Sequence, residues 1–406
     1  MTFITITILI FLFIIAWWQA RSILHPAVIT TFLWSTMLII YNTVDHGLYA
    51  LSDKMYIAIL CWAIPLTLFS LFPLLFPTRQ ASPSDQDANP IVINTLRPIA
   101  LAAVIVAMLA LLYRGYVYNP GNVFNGIRTA SVDTLSGEES LVSFPLYVSI
   151  SIELASSLLL PFVLYLLFIK EERSTYIKLL TILLVIYVLF RSNKTVIAQY
   201  GLAFICIMSI KHKINKKNAV LIIIAFIGIM MAGHLMRRSE DADQFVFSDF
   251  ITLYLLGSLP AMDSILQYAP GAMIESFNGE YTFRAFLKFI QMYDSSLLGN
   301  SDPFNLQNWT YTPIPTNVYT CLFNFYVDFG YIGLLLGGGL YGLIGGIVYK
   351  YMRKGNLIAI LMYAELFYVF IFQFFIDYGM TFFWTHITIL LCILVMVNPS
   401  LRKHNT

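Results

Sequence analysis

The chain holds 406 residues, 59% hydrophobic and only 11% charged, with a net charge of +2 and a mean hydropathy of +0.76. A soluble domain carries roughly a quarter charged residues, so this composition excludes a soluble enzyme and implies a polytopic membrane protein. Cys61, Cys206, Cys321 and Cys392 are scattered, with no C-x-x-C pair and no Cys/His cluster, which argues against a disulfide framework or a zinc site.

The first apolar run, Phe3–Trp18, lacks a basic leader and a small-residue cleavage site and reads as a retained span. A span needs about 20 mostly apolar residues. On that rule spans are expected near 3–19, 27–42, 55–77, 98–113, 144–169, 176–190, 195–210, 218–236, 331–352, 356–376 and 380–398. The expected fold is therefore an all-α polytopic integral membrane protein of about eleven helices, one transmembrane domain over 1–406. Lys and Arg favour the cytoplasmic loops. The clusters KHKINKKN (Lys211–Asn218) and YKYMRKGN (Tyr349–Asn356) place the N-terminus outside and the C-terminus in the cytoplasm. Loops 43–54, 114–143 and 237–330 then lie outside, and 78–97, rich in Pro, Ser and Asp, reads as a flexible connector.

Within 237–330, the stretch Phe245–Ala269 is apolar but carries Asp249, Gly257, Pro260 and Asp263. One more crossing there would put Lys350, Arg353 and Lys354 outside, so it is read as broken helices that lie at the outer interface or dip in and out of the membrane. Tyr281–Tyr293 sets Phe283, Phe286, Leu287 and Ile290 on one helical face, with Arg284 and Lys288 on another stripe. This is expected to be an amphipathic helix on the outer leaflet, its basic edge facing either a substrate diphosphate or lipid headgroups. In NVYTCLFNFYVDFG (Asn317–Gly330), Thr316 or Asn317 is expected to cap a helix start and Gly330 to break it.

Cations on the outer side oppose the topological bias: Arg114, Arg128, Arg191, Lys194, Arg237, Arg238, Arg284 and Lys288. Arginine pairs bidentately with phosphate and stays charged. The partner that several would share is a lipid-linked phosphate or diphosphate; the alternative is that each snorkels to headgroups or pairs with an acid such as Glu240 or Asp241. RSNKT (Arg191–Thr195) joins the two shortest spans, which calls for a water-filled cavity or a bound anion unless it is simply a hairpin tip in water. Asp328 is a candidate general base, or a partner for an outer arginine, and His234 lies one turn before Arg237. No Walker loop, HExxH or GxSxG is present, and Asp241-x-Asp243, flanked by Arg238 and Glu240, reads as solvated charge.

FNGIRTAS (Phe124–Ser131), RSNKT, LGSLPAMD (Leu256–Asp263), GEYTFR (Gly279–Arg284) and above all NVYT…DFGYIG (Asn317–Gly333) resemble, in this order, the Wzy-type O-antigen or oligosaccharide repeat-unit polymerases. The resemblance implies a C-type glycosyltransferase in the bacterial inner membrane, with a large periplasmic loop of short helices over 237–330. It implies joining of undecaprenyl-diphosphate-linked glycans, donor to acceptor, at the periplasmic face, with release of undecaprenyl diphosphate. No metal or other cofactor is expected, and no nucleic acid; membrane lipid and a chain-length regulator protein are the further partners. The diphosphate would be held by Arg128, Arg191 and Arg284 by motif, and by Lys194, Arg237 and Arg238 by position. The base is sought among Asp328, His234, Glu280 and Asp263, and Trp309, Tyr311 and Tyr319 are candidates to pack sugar faces. Two other functions compete: an O-antigen ligase, and a flippase or transporter of lipid-linked oligosaccharide, for which Glu153 and Glu365 are the available mid-span acids.

Overall fold

A backbone in hydrocarbon must satisfy its own N–H and C=O groups, so long apolar runs fold as helices. The computed structural model, which describes residues 1–77, 88–136, 142, 144–191, 194–211, 252–268, 279–291, 310–313 and 315–397, follows this rule. The helices are α1 (Thr2–Ala20), α2 (Pro26–Thr43), α3 (Asp53–Leu71), α4 (Pro90–Tyr118), α5 (Val123–Ser136), α6 (Leu146–Ser157), α7 (Leu159–Leu164) and α8 (Thr175–Phe190). Then come α9 (Lys194–Ile210), α10 (Ser258–Leu266), α11 (Arg284–Gln291), α12 (Leu322–Arg353), α13 (Leu357–Ile371), α14 (Tyr378–Thr381) and α15 (Phe383–Val397). The described strands, Thr310–Tyr311 (β1) and Pro315–Thr316 (β2), form one short antiparallel ladder.

The chain is an all-α membrane protein. Among the described residues four helical stretches are long and apolar enough to cross a bilayer: Thr2–Ala20, Asp53–Leu75, Pro90–Tyr118 and Leu322–Arg353. A fifth arises if the pair Leu146–Ser157 and Leu159–Ile169, bent by 45°, is one span. Pro161 lies just past the bend and leaves the Ser157 carbonyl without its helical partner. The interval 218–236 lies outside the described residues.

The chain divides into two units. Unit 1 comprises Met1–Thr78, Asp243–Lys350 and Val369–Trp384. In it α12 lies backbone to backbone on α3. Gly338, Gly342 and Gly346 recur every fourth residue on one face of α12. A Cβ there would stand 2.4, 2.3 and 2.3 Å from the carbonyl oxygens of Trp62, Leu66 and Ser70. Only glycine permits this approach. Gln373 ties the same unit together. Its side-chain oxygen accepts from the indoles of Trp62 (2.8 Å) and Trp34 (3.4 Å), its amide donates to Thr30 Oγ1 (2.7 Å), and its backbone carbonyl accepts from Cys321 N (2.8 Å).

Unit 2 comprises Arg79–Ala242, Tyr351–Tyr368 and Thr385–Thr406. Here the expected connector 78–97 is corrected in its second half. Asn89 accepts from Ile91 N at 3.0 Å and Pro90 takes the first helical turn, so α4 begins at Pro90, well before residue 98. Its start is fixed by a bond from Asn89 N to Met396 O at 2.9 Å. Arg97 of α4 forms a two-pronged ion pair with Glu172 (2.5 and 2.9 Å), while Tyr176 OH donates to Arg97 O at 2.7 Å. The loop after α4 is not irregular either. α5 packs on the end of α4 through Gly115 and Gly126, where a Cβ on Gly126 would lie 2.0 Å from Gly115 O.

Candidate functional site

Unit 2 carries Arg191 where α8 ends, its amide still bonded to Tyr187 O at 2.9 Å. The side chain turns back along the helix bundle. Its Nη1 donates to Ser156 Oγ (2.7 Å) and to Tyr187 OH (3.2 Å). Ser156 Oγ donates in turn to Ile152 O (2.9 Å) and lies 2.9 Å from Tyr187 OH, while Tyr200 OH donates to Ser156 O at 3.3 Å. The guanidinium is half-buried, and among the described residues its hydrogen-bond acceptors are neutral hydroxyls. Glu153 supports it electrostatically from a distance, with Oε1 accepting from Ser157 Oγ at 3.0 Å. Beneath this cluster, fully buried Glu365 of α13 accepts from Gln199 Nε2 of α9 at 3.3 Å.

The remaining cations of unit 2 separate into two kinds. Arg114 Nη2 donates to Ala130 O at 2.9 Å, fastening α5 to α4, so this arginine is structural. Arg128, on the same α5, is exposed. Lys194 opens α9, and its side chain lies outside the described residues, as do His234, Arg237 and Arg238 in full.

Unit 1 brings together two motifs that the sequence separates. Asp328 is buried and its carboxylate accepts from Thr282 N (2.6 Å) and Tyr281 N (3.3 Å). Thr282 Oγ1 donates to Asn324 O at 3.2 Å, and Phe283 meets Phe329 edge-on at 6.2 Å. The turn 279–283 is thus pinned to the first two turns of α12, with Glu280 buried and Arg284 partly buried beside it. Gly330 breaks α12 at φ 61, ψ −147, as expected. This geometry makes Asp328 a clamp on the backbone amides of the turn that carries Glu280. Tyr281's hydroxyl is pushed up to about 12 by burial, then by the negative charges of Glu280 and Asp328, with Arg284 opposing.

The cap of α12 is a correction. Thr316 is paired in the ladder opposite Thr310, so it cannot start the helix; Thr320 does so, accepting from Leu322 N at 3.3 Å. The amphipathic helix forms as α11, yet its aromatic side meets the protein. Phe286 packs 4.5 Å from Phe383 and 5.8 Å from Trp384, whose indole donates to Ala285 O at 2.7 Å. Of the stretch expected as broken helices, the described part, 252–268, holds a π turn, Thr252–Leu256, then α10 after Gly257. There Asp263 is committed to Ser52, accepting from its amide at 2.8 Å and from its hydroxyl. Tyr311 is 72% exposed, Tyr319 stacks on Phe323 at 4.6 Å, and Trp309 lies outside the described residues.

Ser156, Tyr187 and Tyr200, which gather at Arg191 in unit 2, were not legible as site residues. Each sits in an apolar or aromatic run with no motif of its own, and only the fold turns its hydroxyl inward. Tyr281 of unit 1 lies within GEYTFR, but nothing in that motif singled out its hydroxyl. No protein-family model, curated protein or solved structure matches the chain.

Proposed function

We propose that this protein is a repeat-unit polymerase of the bacterial inner membrane, joining undecaprenyl-diphosphate-linked oligosaccharides on the periplasmic side. The observation that carries the reading is Arg191, a half-buried guanidinium held by neutral hydroxyls. Such a group at membrane depth calls for an anion, and arginine matches a diphosphate bidentately. In the proposed topology eleven spans put the N-terminus outside, the C-terminus inside, and 237–330 in the periplasm.

In the proposed reaction the donor's anomeric carbon breaks its bond to the diphosphate oxygen and forms one to an acceptor hydroxyl oxygen. Arg191 favours the departing diphosphate by stabilising its developing charge. The acceptor's proton passes to a carboxylate, a role we assign to Glu280, buried on the turn 279–283. Undecaprenyl diphosphate leaves, and the growing chain, now joined to the acceptor, is longer by that one repeat unit.

One observation favours a second reading. Glu365 is fully buried in an apolar helix, the placement expected of a coupling acid in a lipid-linked-sugar transporter. Gene deletion separates the readings. A polymerase mutant should leave lipopolysaccharide capped with a single repeat unit. Loss of every repeat unit would overturn the polymerase reading in favour of a transporter or a ligase.

A further inference from the structure

Tyr281 is 4% exposed, and its hydroxyl is buried with no hydrogen-bond partner among the described residues. A buried, unsatisfied hydroxyl is destabilising and rare in a native fold, so its retention calls for an explanation. Its surroundings are specific. The phenol stands within electrostatic reach of Glu280, Arg284, Asp328 and Tyr319. Its ring meets Phe323 edge-on at 5.5 Å and 88°, and Phe323 is stacked on Tyr319 at 4.6 Å and 24°. Tyr319 is oriented by a side-chain hydrogen bond to Thr310 at the start of β1. Tyr319 and Phe323 both keep part of their surface exposed, while Glu280 is 3% exposed.

A partly open aromatic stack beside a buried hydroxyl, a carboxylate and a guanidinium is a specific combination of chemistries. A pyranose offers an apolar C–H face and a rim of hydroxyls that donate and accept at once. Its face suits the Tyr319–Phe323 stack, and its rim suits the polar groups. A lone phosphate would use Arg284 and leave the stack idle, facing the Glu280 carboxylate.

We propose that Tyr281, Tyr319 and Phe323, with Glu280 and Arg284, form a subsite that takes one pyranose ring of a glycan. The subsite deepens the polymerase reading, on which the source of the sugar rests. Tyr281 supplies the hydrogen bond that distinguishes a correctly placed ring, and the stack supplies contact area.

The experiment uses the full chain in lipid nanodiscs and the host's repeat-unit oligosaccharide, freed of lipid and phosphate. Saturation-transfer NMR should show binding on the sugar C–H protons. Tyr281→Phe should weaken it by about 2- to 12-fold, the value of one hydrogen bond. Tyr319→Leu should weaken it further, because the stack on Phe323 is lost. Inorganic pyrophosphate should not displace the oligosaccharide. Wild-type binding by both Tyr281→Phe and Tyr319→Leu overturns the subsite, as does full displacement by pyrophosphate or absence of saturation transfer. Thermal unfolding of each variant checks that the fold is intact; a Tyr281→Phe variant that melts early is replaced by the Phe323→Leu variant, which must also bind more weakly. Polymer formation from lipid-linked repeat units is scored separately. If oligosaccharide binds as described but no polymer forms, the polymerase reading fails and the subsite stands.

Discussion

At the residue scale, two acids four dozen positions apart in sequence differ in what they do. Asp328 spends its oxygens on the amides of Tyr281 and Thr282, whereas Glu280 rides on the turn those bonds hold. Asp328→Asn should therefore lower thermal stability first. A charge-assisted backbone bond contributes about 1.5–3 kcal/mol, so a clear drop in melting temperature is expected along with any loss of polymer. Glu280→Gln should instead act first on the reaction, slowing polymerisation by about 10²- to 10⁴-fold, the range for a general base. The reverse pattern would exchange their roles. Arg191→Ala and Arg191→Lys should both abolish long chains at normal protein abundance, because a lysine cannot offer a diphosphate the two parallel donors of a guanidinium. Long-chain banding from Arg191→Lys would show that charge alone suffices. The sequence singled out Arg191 by its place in the shortest hairpin; its hydroxyl partners, Ser156 of α6 and Tyr187 of α8, carried no signal.

At the scale of elements, the glycine face of α12 sets how closely it lies on α3. Gly342→Leu would push a side chain into the Leu66 carbonyl, 2.3 Å from where its first carbon would stand. Overpacking costs about 1–3 kcal/mol where side chains can yield, and a backbone oxygen yields less. Protein abundance in membranes should fall markedly for Gly342→Leu. Gly339→Leu, whose Cβ would meet the Phe69 ring at 3.4 Å, should be milder. Equal abundance of the two variants would argue against the close backbone contact. Glycines at four-residue spacing could be read directly, since such spacing places them on one helical face. The register of that face against α3 could not, and neither could the displacement of the α12 cap to Thr320 by strand pairing at Thr316.

At the scale of the whole molecule, the Arg97–Glu172 pair links the start of α4 to the turn between α7 and α8 within unit 2. The hydrogen bond from Arg97 holds the Glu172 carboxyl below its ordinary value of 4.5, with burial opposing and Ser174 assisting. A carboxyl depressed in the folded state stabilises the fold above its unfolded value, and that stability is lost as pH falls through the folded one. Thermal stability of the wild type should thus decline below about pH 4.5, and Glu172→Gln should flatten that acid limb while lowering stability at pH 7. An unchanged acid limb in the variant would assign the pH dependence to other carboxyls.

The sequence by itself determined that this is an all-α membrane protein, because lipid leaves an apolar chain no alternative to internal hydrogen bonding. It also determined where α12 breaks, since Gly330 is the one glycine of Asn317–Gly330 and tolerates a φ of 61. Tertiary structure decided which polar groups meet. GEYTFR and DFG are joined by Asp328, Arg191 is turned onto Ser156 and Tyr187, and α11 sets Phe286 against Phe383 and Trp384. These are contacts between residues far apart in the chain. Hydropathy and periodicity report only on neighbours along it, so such contacts exist only once the helices have packed.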